Sequence, residues 1–254
     1  KGKPIPPLTT PRPGHADLTG AVKYGYRDLR PTLERSSARE TTMRVAAGAV
    51  CKHLLGQFGI AVGGYVKSIG EIEADFNGMP YSARFEAAEN SDVRCPDSIA
   101  AERMRERIHQ IIQNKDTLGG VLEIVALNVP VGLGSYAQWD RRLEARLAQA
   151  VMSVQAMKGV EIGEAFENAR LPGTKAHDAI TLIPQSLLPA GEGGAAFPLS
   201  RRERGQGGEG LFRPTNRAGG TEGGISNGQP IVIRAAMKPI ATTLTPQTTV
   251  DLAT

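Results

Sequence analysis

Cysteine is scarce in this chain. Cys51 and Cys95 are the only two in 254 residues and they lie far apart, too few and too scattered for a disulfide framework or a zinc site, so both are expected to be reduced thiols and no metal centre is expected. Long apolar runs are missing as well. No stretch approaches the roughly 18 to 20 apolar residues that a membrane-spanning helix needs, and Lys1-Gly2-Lys3 leads into Pro4-Ile5-Pro6-Pro7 instead of the apolar core of a signal peptide. These absences predict a cytoplasmic protein with no membrane contact. Neither charge sign dominates: 30 Lys and Arg against 26 Asp and Glu leave a net charge of +4, a mild bias that suits small polyanions and nucleic acid equally. With 40% hydrophobic residues the chain can bury a sizeable core, and its length is read as one domain.

What is present is two short boxes dense in chemistry. Arg35-Ser36-Ser37-Ala38-Arg39-Glu40 places two guanidiniums and two hydroxyls before the apolar positions Met43, Ala46, Ala47, Val50 and Leu54, which recur at helical spacing. Ser37 and Glu40 have the spacing of a capping box. Free N–H groups and the positive end of the helix dipole would then face the same place as Arg35 and Arg39, a natural seat for phosphate or carboxylate; an ordinary surface cap is the competing reading. Upstream, Arg12-Pro13-Gly14-His15-Ala16-Asp17 reads as a rigid turn carrying a cation, an imidazole and a carboxylate.

Together, in this order and separation, the two boxes resemble chorismate synthase, the flavin-dependent lyase family of the shikimate pathway of aromatic amino acid biosynthesis. The resemblance continues through Lys23-Tyr24-Gly25, Met43-Arg44-Val45-Ala46-Ala47-Gly48, Lys158-Gly159-Val160-Glu161-Ile162-Gly163, Asn216-Arg217-Ala218-Gly219-Gly220, Glu222-Gly223-Gly224-Ile225-Ser226-Asn227-Gly228 and Met237-Lys238-Pro239-Ile240. It implies reduced FMN as cofactor, NADPH as a reductant in some members, 5-enolpyruvylshikimate 3-phosphate as substrate, a homotetramer, and no nucleic acid. Motif by motif, it implies substrate binding by Arg12 and Arg39, a catalytic role near the flavin for His15, and flavin contacts from Arg35, Ser36, Ser37, Lys175, Ala176, Gly223, Lys238, Pro239, Ile240, Ala241 and Thr242. Arginine suits such a task because its planar fork pairs bidentately with phosphate and carboxylate and keeps its charge. The family's Gly-Glu-Ser-His-Gly and Arg-Ser/His-Asp motifs are not found, so the chain is expected to be the central part of a longer enzyme.

Periodicity predicts strands over 60–69, 121–129, 160–163 and 231–237 and helices from Ser98 and over 140–157. Alternation of strand and helix would ordinarily suggest a doubly wound parallel sheet. The resemblance instead implies an α+β fold, a β-α-β sandwich with helices between antiparallel sheets. Residues 184–212 depart from the family: a Gly- and Arg-rich stretch that cannot form a core, expected as a flexible insert, with an Arg/Gly nucleic-acid tether as the alternative use. Gly132-Leu133-Gly134-Ser135-Tyr136-Ala137 imitates a dinucleotide fingerprint, but Pro130 separates it from the strand and the next helix starts too late to present its N-terminus to a pyrophosphate.

Overall fold

The computed structural model describes residues 5–182 and 211–253; all of the predicted insert except Leu211 and Phe212 lies outside the described residues. The chain runs α1 (Asp17–Tyr24), α2 (Arg30–Arg35), α3 (Thr41–Gly56), β1 (Ala61–Ile69), β2 (Ile72–Glu73), α4 (Tyr81–Glu89), α5 (Ser98–Gln113), β3 (Gly120–Leu127), α6 (Leu143–Met152), β4 (Met157–Ile162), α7 (Ala165–Asn168), α8 (Gly173–Ala176), β5 (Thr181–Leu182), β6 (Leu211–Phe212), β7 (Thr221–Glu222), β8 (Ile225–Ser226) and β9 (Ile231–Met237). Five strands form one sheet in the order β2-β1-β3-β9-β4, and every neighbouring pair is antiparallel. The α+β expectation is met. Among the described residues there is one large sheet, with two two-stranded ribbons beside it and helices on both of its faces.

Strand alternation explains the two faces. Ile124, Ile231, Ile233, Val160 and Ile162 point to one side, where Leu143, Leu147 and Val151 of α6 cover them. Tyr65, Val125 and Val232 point to the other, against Tyr81, Phe85 and Ala88 of α4. Gly63 on β1 lets that second helix approach, because a Cβ there would lie 2.4 Å from the Phe85 ring. A third cluster joins Ala100, Ala101 and Met104 of α5 to Ala74 and Cys95; Asp97 starts this helix by accepting from the backbone N–H groups of Ile99 and Ala100.

Several predicted boundaries move. The stripe predicted as one helix over 140–157 divides into a 3-10 turn at Trp139–Arg141 and α6, and its last residue opens β4, ahead of the predicted strand. No residue of α3 is buried: Met43, Val45, Val50 and Leu54 are all exposed, so the apolar stripe that identifies this helix has no cover among the described residues.

The second face also carries a buried polar row. Tyr65, Glu123, Arg234 and Glu161 stand opposite one another across β1, β3, β9 and β4. Glu123 is 3% exposed; it accepts from the Tyr65 hydroxyl and from Arg234 Nε at 2.8 Å, with Arg84 Nη1 3.5 Å away. Burial first, and then the bond to Glu123, push the Tyr65 phenol well above its ordinary range, so it stays a donor. Removing one partner from a buried charged cluster leaves the others desolvated without compensation. Glu123→Ala should therefore lower unfolding free energy by about 3 to 5 kcal/mol in urea titrations, and a loss under about 1 kcal/mol would show that the row contributes little.

Candidate active site

Antiparallel pairing of β4 and β9 brings two distant segments to one end of the sheet. Met157 lies opposite Met237, so the residues before β4 and those after β9 emerge side by side, sealed by the Lys238 N–H donating to the Ala156 carbonyl at 3.0 Å. Ala156 holds φ +67°, a left-handed conformation that costs an alanine of the order of 1 kcal/mol or more and recurs at functional sites. The turn at Gly14, itself at φ +72°, packs on this junction; its carbonyl accepts from Lys238 Nζ. The 3-10 turn at Ala38–Glu40 closes the remaining side. Glu40 accepts from Gln155 Nε2 at 2.6 Å and from Arg44 Nε at 3.1 Å, while Arg44 donates to the Ser153 hydroxyl and carbonyl.

These contacts enclose a cavity of about 430 Å³. The N-terminal turn, the end of α2 with the residues after it, and the β4–β9 junction supply its walls. Of the residues singled out from the sequence, Arg12, His15, Ser36, Ser37, Lys238, Ile240, Ala241 and Thr242 line it, and Pro239 falls between two lining stretches of chain. Arg35 ends α2 and is not among the lining residues. Arg39 lies outside the cavity, paired on the surface with Glu34. Gly223 sits in the turn between β7 and β8 at φ +59°, and Lys175 and Ala176 belong to α8; none of the three lines the cavity.

Gln155 and Ala156 do line it, and sequence reasoning misses both. The available signal is a glutamine at the foot of the α6 stripe, just ahead of the Lys158-Gly159 motif. Gln155 Oε1 is buried without a partner among the described residues. It is an acceptor on a wall otherwise rich in donors.

The capping box forms only in part. Ser37 Oγ accepts from the Arg39 N–H at 3.3 Å, but Glu40 turns to Arg44 and Gln155 instead of reaching back. The backbone N–H groups of Ser36 and Ser37 are already used by the Thr32 and Glu34 carbonyls, because α2 runs directly into this turn. The Ser36 hydroxyl likewise donates to the Thr32 carbonyl at 2.7 Å, so anion binding on this wall must draw on the Ser37 hydroxyl and side-chain cations more than on free backbone donors.

The sharpest geometry surrounds Asp17, which is fully buried at the start of α1. Its carboxylate accepts from the Arg12 N–H at 3.1 Å, from Arg12 Nε at 2.9 Å, from Arg12 Nη2 at 3.2 Å and from His15 Nδ1 at 2.6 Å. Burial alone would raise its pKa, but these bonds from Arg12 and His15 outweigh it and hold the carboxyl below its ordinary range. Arg12 reaches Asp17 through Nε and Nη2, and Nη1 has no partner among the described residues.

The family model for chorismate synthase matches residues 6–254. Chorismate synthases of Sulfurihydrogenibium sp. (strain YO3AOP1) and Aquifex aeolicus are 52% and 47% identical over 92% and 100% of this chain. The chain belongs to the chorismate synthase family. A crystal structure of chorismate synthase superposes with a TM-score of 0.75 at 46% identity, covering 89% of this chain and 63% of that one. The chain spans 55% and 61% of the length of those two relatives, little more than half of a curated chorismate synthase.

A depressed carboxyl stabilises the fold above its unfolded pKa, about 3.9, and the contribution is lost as pH falls through the folded value. Thermal unfolding should therefore show Tm declining below about pH 4. Asp97 and Asp178, also held low by hydrogen bonds that outweigh burial, share in that slope. Asp17→Asn should flatten part of the decline, and an unchanged slope would remove Asp17 from the acid response.

Proposed function

We propose that this chain forms the cofactor- and substrate-binding wall of a chorismate synthase, which eliminates phosphate and a proton 1,4 from 5-enolpyruvylshikimate 3-phosphate to give chorismate. The observation that carries this reading is the convergence of Arg12, His15, Ser36, Ser37 and Lys238 on one cavity, from segments at the two ends of the chain. The residues fit FMN: Lys238 Nζ and the Ser37 hydroxyl, which accepts from the Arg39 N–H and keeps its own hydrogen, suit its phosphate, while Ser36, whose hydroxyl donates to the Thr32 carbonyl, stays in the set on the strength of the family resemblance. Reduced FMN, when bound, supplies electron density to the breaking C–O bond. Arg12 offers its outer arm to the substrate's anionic groups, and His15 can hold or move a proton at the cavity wall.

Arg39 stays in the substrate-binding set of this reading, because its exposed pair with Glu34 costs little to break and frees a guanidinium to turn toward an arriving anion. Arg35, Lys175, Ala176, Gly223 and Pro239 stay in it as flavin contacts on the strength of the family resemblance alone. A homotetramer rests on the family resemblance alone, because the family's end segments would cover the apolar stripe of α3 as well as a neighbouring copy would. NADPH as reductant rests on the family resemblance alone.

Chorismate formation under anaerobic conditions with reduced FMN, measured for this chain and for a version carrying the family's end segments, tests the reading. Activity is expected at least in the extended version; activity in neither would overturn it. Arg39→Ala should raise the apparent Kd or KM of the substrate about tenfold or more while moving that of FMN little. Equal losses for both ligands would contradict the division of labour.

A further inference from the structure

The triangle of Arg12, His15 and Asp17 constrains which nitrogen of the imidazole carries the proton. His15 Nδ1 lies 2.6 Å from Asp17 Oδ1, and the carboxylate, held ionised by Arg12, has no proton to give. Two bare acceptors cannot sit at that distance, so Nδ1 must carry hydrogen. Arg12 Nη2 lies 3.1 Å from Nδ1 and 3.2 Å from Nε2, so by distance it does not choose between them. An atom nearly equidistant from both ring nitrogens lies over the ring and along neither in-plane lone pair, so Arg12 leaves the Nε2 lone pair open. The excluded tautomer, protonated at Nε2, is the one a free histidine side chain prefers, which makes the selection measurable.

We infer that Asp17 is a positioning residue that fixes neutral His15 as its Nδ1–H tautomer, leaving Nε2 as the one ring atom able to take up or deliver a proton at the cavity wall. This rests on the reading of His15 as the proton-handling group of a chorismate synthase site, although the tautomer itself does not. The charged groups facing the ring are Asp17 and Arg12 from its own turn and α1, and Lys238 from the segment after β9, whose Nζ binds the neighbouring Gly14 carbonyl. Neither cation can replace Asp17, because both are donors only. Burial completes the arrangement, since water cannot reach Asp17 to compete for Nδ1.

Asp17→Asn is the discriminating substitution because it keeps the shape and reverses the contact with His15. The Arg12 N–H and Nε both donate to Oδ2, so the carbonyl oxygen of the introduced amide must take that place, and the NH₂ takes the place of Oδ1, facing His15 Nδ1 and giving up the 3.2 Å bond from Arg12 Nη2. The ring would then be driven to the Nε2–H tautomer with its position unchanged, the same logic by which an aspartate-to-asparagine change disables a serine-protease histidine. Nitrogen-15 NMR of imidazole-labelled protein at a pH above the His15 titration reads the tautomer directly. The expected result is Nδ1–H in the wild type and Nε2–H in Asp17→Asn, with FMN Kd changed by less than about threefold. In the version carrying the family's end segments, kcat should fall about 10²-fold or more at nearly unchanged KM.

An Nε2–H signal in the wild type would overturn the inference, and so would the same tautomer in both proteins or an unaltered kcat. The wild-type spectrum decides the first point even if the variant fails to fold. A tautomer switch in the version carrying the family's end segments, with no FMN bound by that version, would leave the Asp17 inference standing and sink the lyase reading, so the two failures are separable.

Discussion

The site depends on one register. Because β4 and β9 are antiparallel with Met157 opposite Met237, two segments far apart in the chain, Gln155-Ala156 and Lys238-Pro239, are obliged to leave the sheet at the same end. A slip of one residue would exchange the two faces of β9, taking Ile231 and Ile233 away from α6 and carrying Lys238 to the wrong side. The burial of these alternating β9 side chains against α6 therefore specifies the location of the cavity, even though neither of them lines it. The N-terminal turn is then brought in by Lys238 and Gly14, and the tail after β9 returns to tie it down, with Thr249 Oγ1 donating to the Pro11 carbonyl and the Leu252 N–H to the Thr9 carbonyl.

Among the described residues Glu123 and Asp17 are the buried carboxylates, and their partners separate structural from chemical use. Glu123 sits in the middle of the sheet with Tyr65, Arg84 and Arg234 around it; its polarity is spent on holding strands and helix in place. Asp17 is just as buried, but its partners Arg12 and His15 both reach the cavity wall. A charge with partners that open to a pocket can transmit ligand binding to a proton-carrying group; a charge enclosed on all sides cannot. The distinction is one of connectivity, and depth of burial alone does not reveal it.

Much of this is legible in the sequence, unevenly. The long strands β1, β3 and β9 and the helices α3 and α5 follow from periodicity because their apolar positions face a core or keep the spacing of one. The antiparallel order does not follow, since alternation of strands and helices ordinarily suggests a parallel sheet and only the family resemblance overrides it. Arg12, His15, Ser36, Ser37 and Lys238 are found through their motifs. Gln155 and Ala156 escape because their role comes from the β4–β9 register, which is a long-range fact with no local signature, and the left-handed backbone at Ala156 would ordinarily be predicted at glycine. The capping box is half-formed for a local reason: α2 occupies the residues before Ser37, so the donors a free helix start would expose are already bonded.

The charge arrangement of the cavity argues for the kind of ligand it takes. Arg12 and Lys238 come to it from different segments, no carboxylate is among the lining residues, and Asp17 behind the wall is consumed by Arg12 and His15. Lys238 spends one donor on the Gly14 carbonyl and keeps the rest of its ammonium; Arg12 keeps Nη1. Two cations with free donors and no free anion attract a ligand carrying more than one negative charge. The proposed pair of ligands, a phosphorylated flavin beside a phosphorylated, carboxylate-bearing substrate, carries charge of that sign and number.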